Sequence, residues 1–336
     1  MVRSANQRFV RGANNDYGRD AINTVPHFDV LGFGAVAVDD LLYVDAYPPA
    51  ESKARVRRRL RQCGGLTGTA LVAAARLGSR CAYVGALGND DLSQFVIETF
   101  GREGIDSTYC TRRDDARPAH STIVVDGGRG TRTIFSSVDG LIGADPRLPD
   151  AALIRCAGAV LIDHHGFEGT LRAARIARAS GVGVVADFER NPQRQVTALL
   201  PLVDHLIVSQ RFARELTGRE DPGRAAEQLR HDDAQAVIVT CGAAGCWYLG
   251  ESEDRARHFP AFEVEAVDTT GCGDVFHGAY ASALARAEDL RGRIALASAA
   301  AALKARQRGG QAGCPAAQAV EEFLEMHGGS TENPES

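Results

Sequence analysis

A chain of 336 residues with a formal net charge of -5 at pH 7 and 44% hydrophobic residues has room for one large α/β domain or two smaller ones. The charge is too mild to point to nucleic acid or an anionic membrane, and no apolar run is long enough to span a bilayer. The eight cysteines form no Cys-x-x-Cys pair, so reduced thiols and a cytoplasmic location are expected. Residues 1–27 mix Arg, Asn, Gly and Asp without the apolar core of a signal peptide. They read as a disordered extension, and residues 327–336 as a disordered polar tail.

In chain order, Phe28 to Val38 is an apolar run suited to a buried strand. Within it, residues 32–37 satisfy Gly-x-Gly-x-x-Ala, the dinucleotide fingerprint of a dehydrogenase. That reading needs a helix opening at Gly34, whereas Val36 to Asp45 continues with strand-like alternation. Leu41–Leu60 and Ser121–Ile134 alternate apolar and polar residues, with Pro48-Pro49 and Gly127-Gly128 as turns, and read as half-exposed strands outside the main sheet. Arg55, Arg57, Arg59 and Arg61 share one face there, either a surface for an anionic ligand or a solvated exterior. A helix over Leu66–Leu77, a strand over Cys81–Gly85 and a helix over Leu92–Glu103 follow. Beyond them, β-rich runs at Ala159–Ile162, Gly183–Ala186, His205–Val208 and Val237–Thr240 alternate with helical stretches at Gly169–Ala179, Arg211–Leu216 and Gly223–Arg230. Such alternation builds a parallel sheet covered on both faces.

The most chemical stretch is Val267 to Gly278. Gly271 and Gly273 permit a tight turn at a helix start, where free N–H groups and a partial positive charge suit phosphate oxygens. The amides of Gly271, Cys272 and Gly273 would stabilise a transferring phosphoryl group, and Asp274 would take the proton of an incoming hydroxyl. Cys272 is either a thiol activated by the helix terminus or a stand-in for a small residue.

The run from Asp268 to Asp274 resembles the Asp-Thr-x-Gly-Ala-Gly-Asp signature of the ribokinase-like (pfkB) carbohydrate kinases, about sixty residues from the C-terminus as in that family. The resemblance covers roughly Phe28 to Phe323. It implies a three-layer α/β/α fold over residues 28–326, with a central, mostly parallel sheet and a small β lid from about 41–61 and 119–135. Residues 63–70 are similar to the family's Gly-Gly-x-x-x-Asn-x-Ala, with Gly64 and Gly65 as the hinge and Thr69 in place of the sugar-binding asparagine. That change disfavours ribose, and the wording is closest to ketohexose-type members such as sulfofructose kinases.

By the same resemblance, Asp39, Lys53, Gly64, Gly65, Thr69 and His165 would hold the sugar, His165 standing where a sulfonate-binding arginine is expected. Thr240, Gly242, Gly245, Thr270, Gly271, Gly273, Lys304 and Gly309 would meet ATP, with Mg2+ on its phosphates. Asp268, Thr270, Gly309 and Gly313 would flank a monovalent cation such as K+. Lys53 and Lys304 are the two lysines of the chain, a bias that marks either positions where arginine fails or chance survivors. The family's Asn-x-x-Glu, which organises magnesium through water, should fall near residues 209–212, and neither residue type is there. The implied partners are a sugar and ATP, with a homodimer through the lid and no nucleic acid or membrane. A nucleoside kinase of the same fold or a weakly catalytic sensor stands as the alternative, and a zinc pair at His164-His165 lacks the usual i, i+4 spacing.

Overall fold

The computed structural model describes residues 25–129, 131–191 and 194–327. The extension expected over 1–27 and the tail over 327–336 lie outside these residues, apart from 25–27 and His327.

Strand β1 (Val30–Phe33) is shorter than the apolar run that contains it. The chain breaks at Gly34, where a side chain would lie 2.2 Å from the Asp163 carboxylate, and re-enters extended structure as β2 (Ala37–Val44) in a different sheet. No helix opens at Gly34, and the first, α1 (Leu66–Arg76), comes only after β3 (Arg58–Gly64), which removes the dehydrogenase reading.

Next come β4 (Cys81–Tyr83), β5 (Ala86–Leu87), α2 (Asp91–Arg102), β6 (Thr111–Arg112), β7 (Ala119–Asp126), β8 (Thr131–Ser137) and α3 (Ala151–Arg155). The alternating half comprises β9 (Ala159–Asp163), α4 (Phe167–Ala179), β10 (Gly183–Asp187), α5 (Gln195–Leu199), β11 (His205–Ser209), α6 (Gln210–Thr217), α7 (Pro222–Leu229) and β12 (Ala236–Thr240). The chain ends with β13 (Cys246–Gly250), β14 (Arg257–Phe259), α8 (Cys272–Ala285), α9 (Leu290–Ala305) and α10 (Ala317–His327).

The main sheet runs β14-β13-β12-β11-β10-β9-β1-β4, parallel from β12 to β4 and antiparallel at the β13 and β14 edge. Its strands alternate between two cores. Leu161, Val185, Ile207 and Ile238 pack with α1, α2, α8, α9 and α10, while Val160, Val184, Leu206 and Val237 pack with α3 to α7. Three layers result, each fully buried branched side chain contributing roughly 1.5–3 kcal/mol of transfer energy.

A second sheet, β3-β2-β7-β8, stands apart with one parallel pair, β2 on β7, between two antiparallel ones. It covers the two segments expected as lid. The arginine alternation there is an exterior: Arg57 pairs with Asp45, and Arg61 pairs with Asp40 and lies over Phe95. Helices α1 and α8 approach backbone to backbone at Gly278, where an added Cβ would sit 2.0 Å from the Ala70 carbonyl oxygen. That approach brings the first turns of both helices to the same end of the sheet.

Candidate active site

The parallel strands deliver polar residues to their carboxyl ends, where open α/β sheets bind ligands. Asp163 closes β9, Asp187 closes β10, Ser209 closes β11 and Thr240 closes β12. Helix α8 starts at the same edge, with Gly271 as its left-handed cap at φ +79°. A residue with a Cβ is strained there, and one would also meet Gly310 Cα at 3.2 Å.

Beyond that cap, the Cys272 amide donates to Thr269 O and the Val275 amide to Gly271 O. The amides of Gly273 and Asp274 find no acceptor among the described residues, as expected for a helix start that awaits an anion. Space beside Gly273 is open. Burial raises the Asp274 carboxyl well above its ordinary range, and the charges of Asp187 and Glu189 add to this while His277 opposes it. Asp187 is raised in the same way, by burial first and then by Glu189 and Asp163, and its Oδ2 lacks a hydrogen-bond partner. His277 bonds through Nδ1 to Gly273 O (2.8 Å) and through Nε2 to Ile207 O (3.0 Å), with Asp187 Oδ2 3.4 Å from Nδ1. One ring thus ties the first turn of α8 to the sheet edge.

Cys272 is not an activated thiol. Burial raises its pKa, Asp268 and Asp274 push the same way, and Lys304 only partly opposes them.

Asp163 is fully buried and fully bonded. Its Oδ2 accepts from the Ala35 amide (2.7 Å) and Thr67 Oγ1 (2.9 Å), and its Oδ1 from the His165 amide (2.7 Å) and ring Nδ1 (3.2 Å). Burial alone would raise this carboxyl, but the His165 ring and the Ala35 amide hold it below the usual value. His165 therefore stands at the sheet edge with its ring fixed through Nδ1. His164 is a buried neutral ring, pushed down to about 4 by desolvation. Among the described residues no group of three or more His, Cys, Asp or Glu side chains is arranged around a metal, which removes the zinc pair.

The hinge and lid add a second wall. Gly65, at φ +87°, lies against the chain at Ala35 and Val36, where a Cβ would come within 2.7 Å. A Cβ on Gly64 would lie 3.0 Å from Asp39 Oδ2, so the hinge glycine and the lid carboxylate face each other. Burial raises Asp39, and a bond from Ser121 opposes the shift. The Thr69 methyl packs toward Gly271, 3.5 Å from where its Cβ would stand. Lys53 lies exposed in the segment between β2 and β3, without a hydrogen bond or ion pair among the described residues.

Asp268, Thr270 and Gly309 lie together, and Lys304 reaches the same loops from inside the fold. Asp268 Oδ1 accepts from the Thr270 amide and Oδ2 from the Gly309 amide, both at 2.9 Å. Lys304 is fully buried, and its Nζ donates to Asp268 O (2.7 Å) and Gln307 O (3.1 Å). It braces the two loops from inside the fold, with no exposed surface of its own to meet a nucleotide. Gly313 lies against its stem, where a Cβ would be 2.8 Å from Lys304 Cδ.

Thr240, Gly242 and Gly245 form one turn after β12 at the same edge, with Thr240 Oγ1 3.4 Å from Val208 O. Ser209 accepts from the Phe212 amide as the cap of α6, so no carboxylate occupies the expected Asn-x-x-Glu position.

Sequence reasoning missed Asp163, Asp187, Thr67, His277 and Arg132. The two aspartates had a signal, since each directly follows a short apolar run. Arg132 had none: it reaches Thr270 from β8, across 138 positions.

A profile described as pfkB family carbohydrate kinase matches residues 29–317. A ribokinase from Haemophilus influenzae is 29% identical over 277 residues, 78% of this chain and 87% of that protein. A fructokinase from Klebsiella pneumoniae is 31% identical over 252 residues, 69% of this chain and 78% of that protein. Among solved structures, a ribokinase from Thermotoga maritima superposes with a TM-score of 0.75 at 27% identity, covering 89% of this chain and 99% of its own.

Proposed function

The chain belongs to the pfkB family of carbohydrate kinases, phosphotransferases with an alcohol acceptor, and we propose that it moves the γ-phosphate of ATP to a hydroxyl of a ketohexose or related sugar. The observation that carries this reading is Asp274. It lies half-buried at a helix start with unclaimed amides beside it, at the carboxyl edge of the sheet.

Asp274 takes the proton of the sugar hydroxyl as that oxygen bonds to the γ-phosphorus and the bond to the leaving ADP oxygen breaks. The anion-hole role expected of the Gly271, Cys272 and Gly273 amides would fall to the free N–H groups of Gly273 and Asp274, since the Cys272 amide is spent on Thr269 O. Asp39, Gly64, Gly65, Thr69 and His165 would orient the sugar, and the turn of Thr240, Gly242 and Gly245, with Thr270 and Gly309, would take the nucleotide. Lid and hinge would exclude water, which competes with the acceptor.

Magnesium fits the orphaned carboxylate edge. Asp187 and Glu189 would hold its water shell, and the ion would neutralise charge on the ATP phosphates. A dimer through the lid belongs to the same reading, since β8 is an edge strand with Ile134 and Phe135 half exposed. No helix among the described residues is long and apolar enough to cross a membrane.

Thr69, with one hydroxyl in place of an amide, supports a ketohexose over ribose. The test is ATP consumption with ketohexoses, pentoses, nucleosides and acidic sugars. A ketohexose is expected to give the highest kcat/KM. A nucleoside as best acceptor would overturn the substrate class, and no consumption with any acceptor would overturn the whole reading.

A further inference from the structure

The two loops that would flank the expected monovalent cation are already tied together in this chain by Asp268 and Lys304. Both carboxylate oxygens of Asp268 are turned to the amides of Thr270 and Gly309. The carbonyl oxygens of Asp268 and Gln307, one on each of the two loops, receive N–H groups from Lys304. We infer that the Lys304 ammonium is a tethered substitute for that cation, holding the phosphate-hole turn and the glycine loop together so that the enzyme works without K+. The inference rests on the kinase reading of the same turn.

A buried ammonium is strongly unfavourable unless oxygens replace its water. Lys304 has no exposed surface and meets two carbonyl oxygens, one from each loop. Backbone carbonyls are also the groups that replace the hydration shell of K+. Ammonium and K+ therefore ask for the same surroundings, and the lysine brings its charge on the chain. The positive charge reaches the hole above: it favours the charged forms of Asp268 and Cys272, although burial dominates the latter.

The identity of the residue follows from space. Gly313 lies against the lysine stem. A planar guanidinium is wider than an ammonium and carries five donors where the loops offer two carbonyls. In a chain with 38 Lys and Arg residues, of which only Lys53 and Lys304 are lysine, position 304 is one where arginine cannot serve.

Kinetics and melting of the full chain in chloride salts of K+, Na+, NH4+ and N-methylglucamine test this. Wild type should show the same kcat/KM and the same melting midpoint in all four. Lys304→Ala should lose on the order of 100-fold in kcat/KM. It should recover part of that with K+ or NH4+ but not N-methylglucamine, and K+ should raise its melting midpoint. Lys304→Met keeps the stem and leaves no room for an ion, so neither salt should restore it. Activation or stabilisation of wild type by K+ would overturn the inference even if both variants fail to fold. Equal rescue of Lys304→Met and Lys304→Ala would overturn it as well. Absence of ATP consumption by wild type in every salt would instead strike at the kinase reading, and the melting series would still decide the cation question.

Discussion

Arg132 Nη1, on lid strand β8, donates to Thr270 Oγ1 at 2.6 Å, and the same nitrogen stands 4.0 Å from Asp268 Oδ1. The second sheet thereby touches the Asp268–Asp274 run as well as the hinge glycines. A guanidinium held there can meet phosphate oxygens once the nucleotide enters. Arg132→Ala should lower kcat/KM for ATP by about tenfold or more, as loss of one charge-assisted contact predicts. Its side chain is 52% exposed, so the melting midpoint should barely move. An unchanged rate would mean that the contact is incidental.

Asp274→Asn should reduce kcat by at least about 100-fold, the low end for removal of a general base. Affinity for a non-hydrolysable ATP analogue, measured by calorimetry, should stay within about threefold, because the anion-hole donors are backbone amides. A variant that keeps substantial turnover would remove the base assignment.

The acid limb of kcat/KM carries a second signature. A base works in its ionised form, and burial raises Asp274, so activity should fall with falling pH at a point above the usual carboxylate range. Asp187→Asn removes the largest charge acting on Asp274 and should shift that limb to lower pH. The sign for stability follows from linkage. Asp187 is raised in the folded state, so its stabilising contribution is present at low pH and is lost as pH rises through the folded value. Asparagine avoids that loss, and melting at neutral pH should rise as activity falls.

Gly278→Ala tests how packing sets the site. Its Cβ would fall on the Ala70 carbonyl oxygen, so α1 and α8 must separate. Overpacking of this kind costs about 1–3 kcal/mol. Activity should fall along with the melting midpoint, because Thr69 and Gly271 ride on the same two helices. Loss of stability with undiminished kcat/KM would show that the site tolerates their separation.

Cys272→Ala should leave kcat/KM within about twofold, since the anion-hole donors are the backbone amides that follow it and not its thiol. Alkylation at neutral pH should be slow, because burial keeps the thiol protonated. Rapid alkylation of Cys272 in mass-spectrometric mapping would contradict this.

Much of the architecture was legible because strand and helix periodicity is local. The β-rich runs at residues 159–162, 183–186, 205–208 and 237–240 correspond to β9, β10, β11 and β12 within one residue or so. The run at residues 28–38 was not legible as two strands. The break at Gly34 comes from Asp163, a carboxylate 129 positions away, and no local pattern encodes that. Lys53 and Lys304 had the same rarity, yet one lies exposed in the lid and the other is buried under the catalytic turn.

The order of residues by itself determined the α/β alternation, the glycine turn and the carboxylate at its helix start, since these depend on neighbours within a few positions. It also carried the family signature. Tertiary structure alone decided which distant groups share the edge: Asp187 and Glu189 around Asp274, Arg132 on Thr270, and the Lys304 ammonium between the carbonyls of Asp268 and Gln307. Burial there shifts protonation and replaces water with protein oxygens, effects that arise only where separate segments meet.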